Sequence, residues 1–454
     1  AAASAEPTGP ASFPKKKKKN DTVNLEDMVT KLDPETKAML DALHARAEAS
    51  DDPATILMRG VPAGSVCAEW SETEALARTS KFWASNSGKF TDYALSKNVT
   101  HATRFVTHSW APPKDWVEHM GKHAHYGTLK AAELAMVSRD LAEELGVDED
   151  KWRDELTFWI DKTCIPQQHK LLMVCVNMIE DFLQKCDGMV VLLSWQYFER
   201  LWCVYEWASF LICHDPKNVT ICVDAFLRPS TRALYVQSIE NFSVANSKCN
   251  KEADRPVLAK KVAEYYNSVE AFEYFTRSTS IGVMALAVAR KAARGSHEEE
   301  FMPWVHLARR LGLTDLAAGL ETCQPASYRK IAIEMSKDEN NSNKWQKIFA
   351  DKLEEWFDSE IAPVLEAARL QSVRPEHHQL VKHVAMAAQQ RRRGPLRRMS
   401  NYGGGESSQL SAGELAAMLG AGAGARPAAP GPCAAKGDEQ GFGDKGEEEA
   451  EVSG

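Results

Sequence analysis

Leu192-Leu-Ser-Trp-Gln-Tyr-Phe-Glu-Arg-Leu-Trp-Cys-Val-Tyr-Glu-Trp207 continues the apolar run that begins at Met189. It reads as a buried strand that ends at Ser194 and passes into a helix carrying one carboxylate, Glu206. On that helix Trp202 and Phe210 lie four residues to either side of Glu206 and share its stripe. The surroundings of Glu206 are therefore partly apolar, and its ionised form is poorly solvated. A carboxylate so placed serves chemistry or meets a buried partner. Leu201, Val204, Ala208 and Leu211 form the core face, with Trp202, Glu206 and Ser209 on the adjoining stripe, which points Glu206 toward a crevice rim.

Outward from this stretch, short apolar runs alternate with helical patterns, the signature of a parallel sheet flanked by helices. The strand candidates are Arg104-Phe-Val-Thr-His-Ser109, Thr157-Phe-Trp-Ile-Asp161, Met189 to Ser194, and Val219-Thr-Ile-Cys-Val-Asp224. Each run ends in a small polar or acidic group: His108 and Ser109, Asp161, Ser194, Asp224. In an open parallel sheet these carboxyl ends share one edge, where doubly wound folds bind ligands. Between the second and third runs, Leu172, Val176, Ile179, Phe182 and Leu183 have amphipathic-helix spacing. Beyond residue 240 helical patterns dominate, and Pro363 should break or restart the last long helix.

The 454 residues exceed what one compact core usually holds, which predicts two ordered units plus tails. The expected division is an Ala/Pro/Lys-rich disordered tail over 1–35, a helical or irregular extension over 36–99, an α/β domain over 100–235, a helical domain over 236–384, and a disordered tail over 385–454. Apolar residues at 44% and charged residues at 26% are ordinary for a folding chain, and a net charge of -8 argues against a nucleic-acid binder. Lys15 to Lys19 reads as a solvated linker or as a nuclear or anionic-lipid signal. Arg397-Arg398-Met399-Ser400 has the arginines that basophilic kinases favour.

No CxxC pair or Cys/His cluster at zinc spacing occurs among the ten cysteines, so no metal site is expected. Cys175, Cys203, Cys213 and Cys222 sit among apolar neighbours, which favours reduced thiols and a cytoplasmic location. No run reaches the ~18 apolar residues of a membrane span. The Ala-Ala-Ala-Ser start leaves a removed targeting segment open.

Phe105-Val-Thr-His-Ser-Trp110, Trp159-Ile-Asp161, and Leu192-Leu-Ser-x-x-Tyr-x-x-x-x-Trp-Cys-x-x-Glu206 resemble the successive signatures of TIR domains, particularly the divergent ones of protists and bacteria. The resemblance covers about residues 100–235. It implies a flavodoxin-like α/β fold that either assembles signalling complexes through homotypic TIR contacts or cleaves NAD. In the enzymatic members the glutamate of the Trp-Cys-x-x-Glu helix is catalytic, and that position is Glu206. NAD would be a substrate here, with no cofactor required. Breaking the nicotinamide–ribose bond builds an oxocarbenium-like cation, which one carboxylate can stabilise.

Ser109 and Trp110 match the segment that borders the nucleotide, and Asp161 opens the loop that gates the pocket in TIR domains. Helix or turn capping is the alternative for Asp161. Ser194 joins the nucleotide-binding candidates, with a structural role in the strand-to-helix turn as its alternative. Three departures bear on the pocket. About fifty residues separate Ser109 from Asp161, with a helical insert over 112–150 able to cover it, and Lys162-Thr-Cys-Ile-Pro-Gln-Gln168 lacks the usual glycine. Trp207 also stands where leucine is customary. An NAD-cleaving enzyme centred on Glu206 and a non-catalytic adaptor are the two readings.

Overall fold

The computed structural model describes residues 32–384, apart from 85–88, 223–226, 293–300, 338–341 and Lys382. Asp224, the lysine run, the arginine run and the Ser400 motif lie outside the described residues, as does nearly all of both expected tails. A helix already starts at Pro34, where Asp33 accepts the Thr36 amide at 2.8 Å and Pro34 occupies a first-turn position that needs no N–H.

The sheet has six strands: β1 (Arg59–Pro62), β2 (Lys97–Asn98), β3 (Arg104–His108), β4 (Thr157–Trp159), β5 (Met189–Leu192) and β6 (Val219–Ile221), in the order β2-β1-β4-β3-β5-β6. The four strands read from the sequence are mutually parallel, with Phe105 opposite Met189 and Val190 opposite Thr220. Burial on both faces explains their continuous apolar runs. Phe105 stacks on Trp159 at 4.6 Å, and Trp159 on Phe182 at 5.5 Å, so the core runs through the sheet into its helical layer. β1 and β2 add an antiparallel edge inside the region expected to be helical or irregular. Gly60 and Pro62 weaken the strand signal there.

Seven helices position the rest: α1 (Pro34–Glu48), α2 (Thr73–Ala84), α3 (Tyr126–Leu145), α4 (Ile179–Gln184), α5 (Leu201–Cys213), α6 (Asp254–Tyr265) and α7 (Val269–Ala292). The insert is helical as expected, and its main helix, α3, lies against α2. The approach is close enough that a Cβ at Gly127 would fall 2.5 Å from the Ser80 carbonyl. The amphipathic segment before β5 divides at Met178 into Leu171–Asn177 and α4. Its core face is Leu171, Cys175, Ile179, Phe182 and Leu183. Leu172 and Val176 instead line a crevice, a one-residue change of phase at the start of the segment.

α5 is buried on every side because α4, α6 and α7 all pack around it. Trp207 illustrates this: its indole donates to Thr279 of α7 at 3.0 Å. α7 also meets β6, and five further helices gather on it, Met302–Arg310, Thr314–Glu321, Pro325–Ser336, Ser342–Trp356 and Ala362–Ser372. Pro363 does restart its helix. A π-helical turn over Phe357–Ile361 precedes it and carries the backbone past the missing N–H. None of the described helices is long and apolar enough to cross a membrane.

Candidate functional site

At the carboxyl ends of β3 and β4 a crevice of about 410 Å³ opens between the start of α5 and the segments 165–176 and 248–254. Strand order places it beside a reversal: the chain leaves β3 for β4 on one side and returns to β5 on the other. Such reversals separate neighbouring connections and leave room for a ligand. His108, Ser109 and Trp110 reach the crevice from β3, Asp161 from β4, and Trp202, Cys203 and Glu206 from α5. Four of the five sequence-derived site residues are thus brought together.

Glu206 lies at the floor of the crevice and not at its rim, only 4% exposed, because the α4–α6–α7 layer closes over the back of α5. Its Oε2 is 2.6 Å from Thr107 Oγ1, which is 2.9 Å from the Tyr197 hydroxyl, and Tyr197 donates to the Cys203 carbonyl at 2.9 Å. Burial pushes the Glu206 carboxyl well above its ordinary range, and the nearby Asp161 charge adds to this; hydrogen bonds from Thr107 and Trp202 act in opposition. Thr107 donates to the Glu206 carboxyl, and the Tyr197 hydroxyl beside it donates to the Cys203 carbonyl. Of its two expected aromatic neighbours only Trp202 lines the crevice, since Phe210 stacks on His214 at 4.0 Å.

Asp161 is held by two N–H donors, the Trp110 indole at 2.8 Å and the Lys162 amide at 2.6 Å. Asp161 is the first residue of a four-residue helix whose N-cap, Ile160, makes no side-chain cap, and its carboxylate lines the crevice. Burial raises its pKa to about 6, against these hydrogen bonds and the charges of Lys162 and Lys130. His108 Nε2 stands 3.8 Å from Asp161 Oδ1 and has no hydrogen-bond partner among the described residues. Burial, with Lys130 nearby, holds the imidazole well below its ordinary pKa, so it is neutral.

Sequence reasoning missed Lys130, which sits on α3 with no solvent exposure. Its Nζ lies 2.5 Å from the Ser109 carbonyl, 3.1 Å from His108 Nδ1 and 4.1 Å from the Tyr126 ring centre. Burial lowers its pKa well below the usual lysine range. In sequence it is one cation in an alanine-rich helix, indistinguishable from a solvated one. Also missed was the basic rim of Arg200, Lys248 and Lys251. Lys248 is tied to the start of α5 by its amide on the Glu199 carbonyl at 2.7 Å and its carbonyl on the Leu201 amide at 3.1 Å.

Ser194 is the site candidate that does not reach the crevice. It is fully buried, and its carbonyl accepts the Tyr197 amide at 2.9 Å in the strand-to-helix turn. The insert covers this side: Trp116 stacks on Trp195 at 5.6 Å, and Asp115 accepts the Trp195 indole N–H at 3.0 Å. Ser109 lines the crevice but turns its hydroxyl to the Ala111 carbonyl, leaving its own carbonyl to Lys130 and Tyr126. Among the described residues no group of three or more His, Cys, Asp or Glu side chains could hold a metal ion. The chain matches no family model, no curated protein and no solved structure.

Proposed function

We propose that this chain is a TIR-like signalling protein of flavodoxin-like fold that cleaves NAD at the nicotinamide–ribose bond on self-assembly, with Glu206 central. One observation carries the reading: Glu206, Asp161, Trp110 and His108, spread over about a hundred residues, meet in one crevice at the carboxyl edge of a parallel sheet. Its volume, about 410 Å³, is in the range of small-molecule sites. The acidic floor suits a cationic ring and the sugar attached to it. Arg200 and Lys251, with Lys248 paired to Glu199, line the crevice and suit a pyrophosphate.

In this proposal a bound pyridinium ring supplies the positive charge that favours an ionised Glu206, and the carboxylate then stabilises the ribosyl cation. Nicotinamide leaves as a neutral molecule and needs no general acid. A reducing cytoplasmic setting belongs to the same proposal and is supported by the nine described cysteines, eight of them buried, which form no disulfide with one another. The test is nicotinamide release from NAD by concentrated or forcibly oligomerised protein. NAD left intact, or a Glu206→Ala variant that cleaves as fast as the parent, would sink the proposal.

A second reading, a non-catalytic adaptor acting through homotypic contacts, is favoured by the hydrogen bonding of Glu206 into the Thr107–Tyr197 chain, where a neutral carboxyl serves the fold. It predicts TIR–TIR complexes that survive Glu206→Gln with their output unchanged.

A further inference from the structure

His108 combines three properties that the Glu206 chemistry does not use. It is buried, it lines the crevice, and its Nε2 lacks a hydrogen-bond partner among the described residues. A buried polar atom without a partner that also faces a crevice is placed to bond whatever fills the crevice. The tautomer turns on which of its two neighbours Nδ1 bonds. His108 Nδ1 has two polar neighbours, Lys130 Nζ at 3.1 Å and the Ser109 carbonyl at 3.2 Å, and Lys130 Nζ also reaches that carbonyl; with the lysine donating to both the carbonyl and the ring, Nδ1 is the acceptor. The ring proton then sits on Nε2, on the crevice side.

Opposite that N–H stands Asp161 Oδ1, 3.8 Å away. The gap is too long for a direct hydrogen bond and fits one bridging oxygen, with the N–H donating to it and the carboxylate accepting from it. Trp110 holds Oδ2 and the Lys162 amide holds Oδ1, so the carboxylate is aimed and not swinging, and Oδ1 keeps its second lone pair for the bridging oxygen. At neutral pH its raised pKa, about 6, still leaves it ionised and able to take a proton.

We propose that His108 and Asp161 hold the water that captures the ribosyl cation, Asp161 as general base and His108 as donor to the water oxygen, with Lys130 as the positioning residue for His108. This rests on the NAD-cleavage reading and assigns the two acids separate tasks: Glu206 stabilises the cation, and Asp161 activates water. The step balances. The C1′–N bond breaks with its electron pair on the nicotinamide nitrogen, the water oxygen bonds to C1′, and the water proton passes to Asp161 and then to solvent. The product is linear ADP-ribose.

The experiment incubates the full chain with NAD and 3-acetylpyridine, a nucleophile that captures the same cation without needing a base. Nicotinamide release, ADP-ribose and the exchanged dinucleotide are quantified together. The ratio of ADP-ribose to exchange product is independent of how much protein is folded. Asp161→Asn and His108→Gln are expected to lower that ratio at least about tenfold while nicotinamide is still released. Lys130→Gln is expected to move it in the same direction. A parent that releases nicotinamide while Asp161→Asn and His108→Gln keep its ratio overturns this assignment alone. A parent that releases none overturns the cleavage reading and this one with it.

Discussion

Thr107 Oγ1 lies 2.6 Å from Glu206 Oε2, a buried hydrogen bond across 99 positions of sequence that ties β3 to α5. The strand fixes the threonine and the helix fixes the acid, so the carboxyl cannot leave the crevice floor without disturbing the sheet. Thr107→Val is isosteric and removes only the hydroxyl. It leaves Glu206 and Tyr197 without a shared partner and is expected to cost about 1–3 kcal/mol in urea unfolding. Thr107→Ser keeps the hydroxyl and is expected to cost about 1 kcal/mol or less. Equal losses for the two would mean that the methyl group, not the hydrogen bond, matters.

Stability should depend on pH through Asp161. His108 faces it from β3, Lys130 from α3, Glu206 from α5, and Lys162 adjoins it in the chain. Its carboxyl ionises near 3.8 when unfolded and near 6 when folded. The folded state therefore holds the proton longer, so the contribution is present below pH about 4 and is lost as pH rises to about 6. Urea titrations between pH 4 and 7 should show a flatter profile for Asp161→Asn than for the parent. Parallel profiles would assign the slope to other groups.

The four parallel strands were legible because burial on both faces writes them as unbroken apolar runs, and their polar ends located the crevice. β1 and β2 were not, since Arg59-Gly-Val-Pro62 and a two-residue strand carry almost no periodicity and owe their pairing to the neighbouring edge. Glu206, Asp161, Ser109 and Trp110 could be read as strand-end or helix-stripe residues. Lys130 could not, because only the packing of α3 against α2 and the sheet edge turns an ordinary helix lysine into a buried one. Of the two roles open to Ser194 the structure shows the one in the strand-to-helix turn, because the insert that covers its strand end, some eighty residues earlier, keeps it from the crevice.

Lys261 of α6 and Glu180 of α4 form a buried ion pair, with Nζ at 2.8 and 2.7 Å from the two carboxylate oxygens. The Tyr205 hydroxyl of α5 donates to the same carboxylate. Lys261→Met alone strands that charge and should destabilise by about 3–5 kcal/mol. Adding Glu180→Gln should recover a large part of the loss. Additive losses in the double-mutant cycle would contradict the pairing as an energetic unit.

Gly127→Ala would normally strengthen a helix by about 1 kcal/mol. Here the new methyl meets the Ser80 carbonyl at 2.5 Å and the Ala84 amide nitrogen at 3.2 Å, backbone atoms of α2 that cannot step aside singly. The expected result is a loss of about 1–3 kcal/mol in thermal or urea unfolding, and a gain would mean that the helices separate readily.

The central claim, that the Glu206 carboxylate cleaves NAD, is tested most directly by the time course of nicotinamide release from the concentrated protein beside Glu206→Gln, which keeps size and hydrogen bonding but cannot ionise. The account predicts release by the parent and a rate about 100-fold or more lower in the variant. NAD that stays intact with the parent, or equal rates in the two proteins, would contradict it.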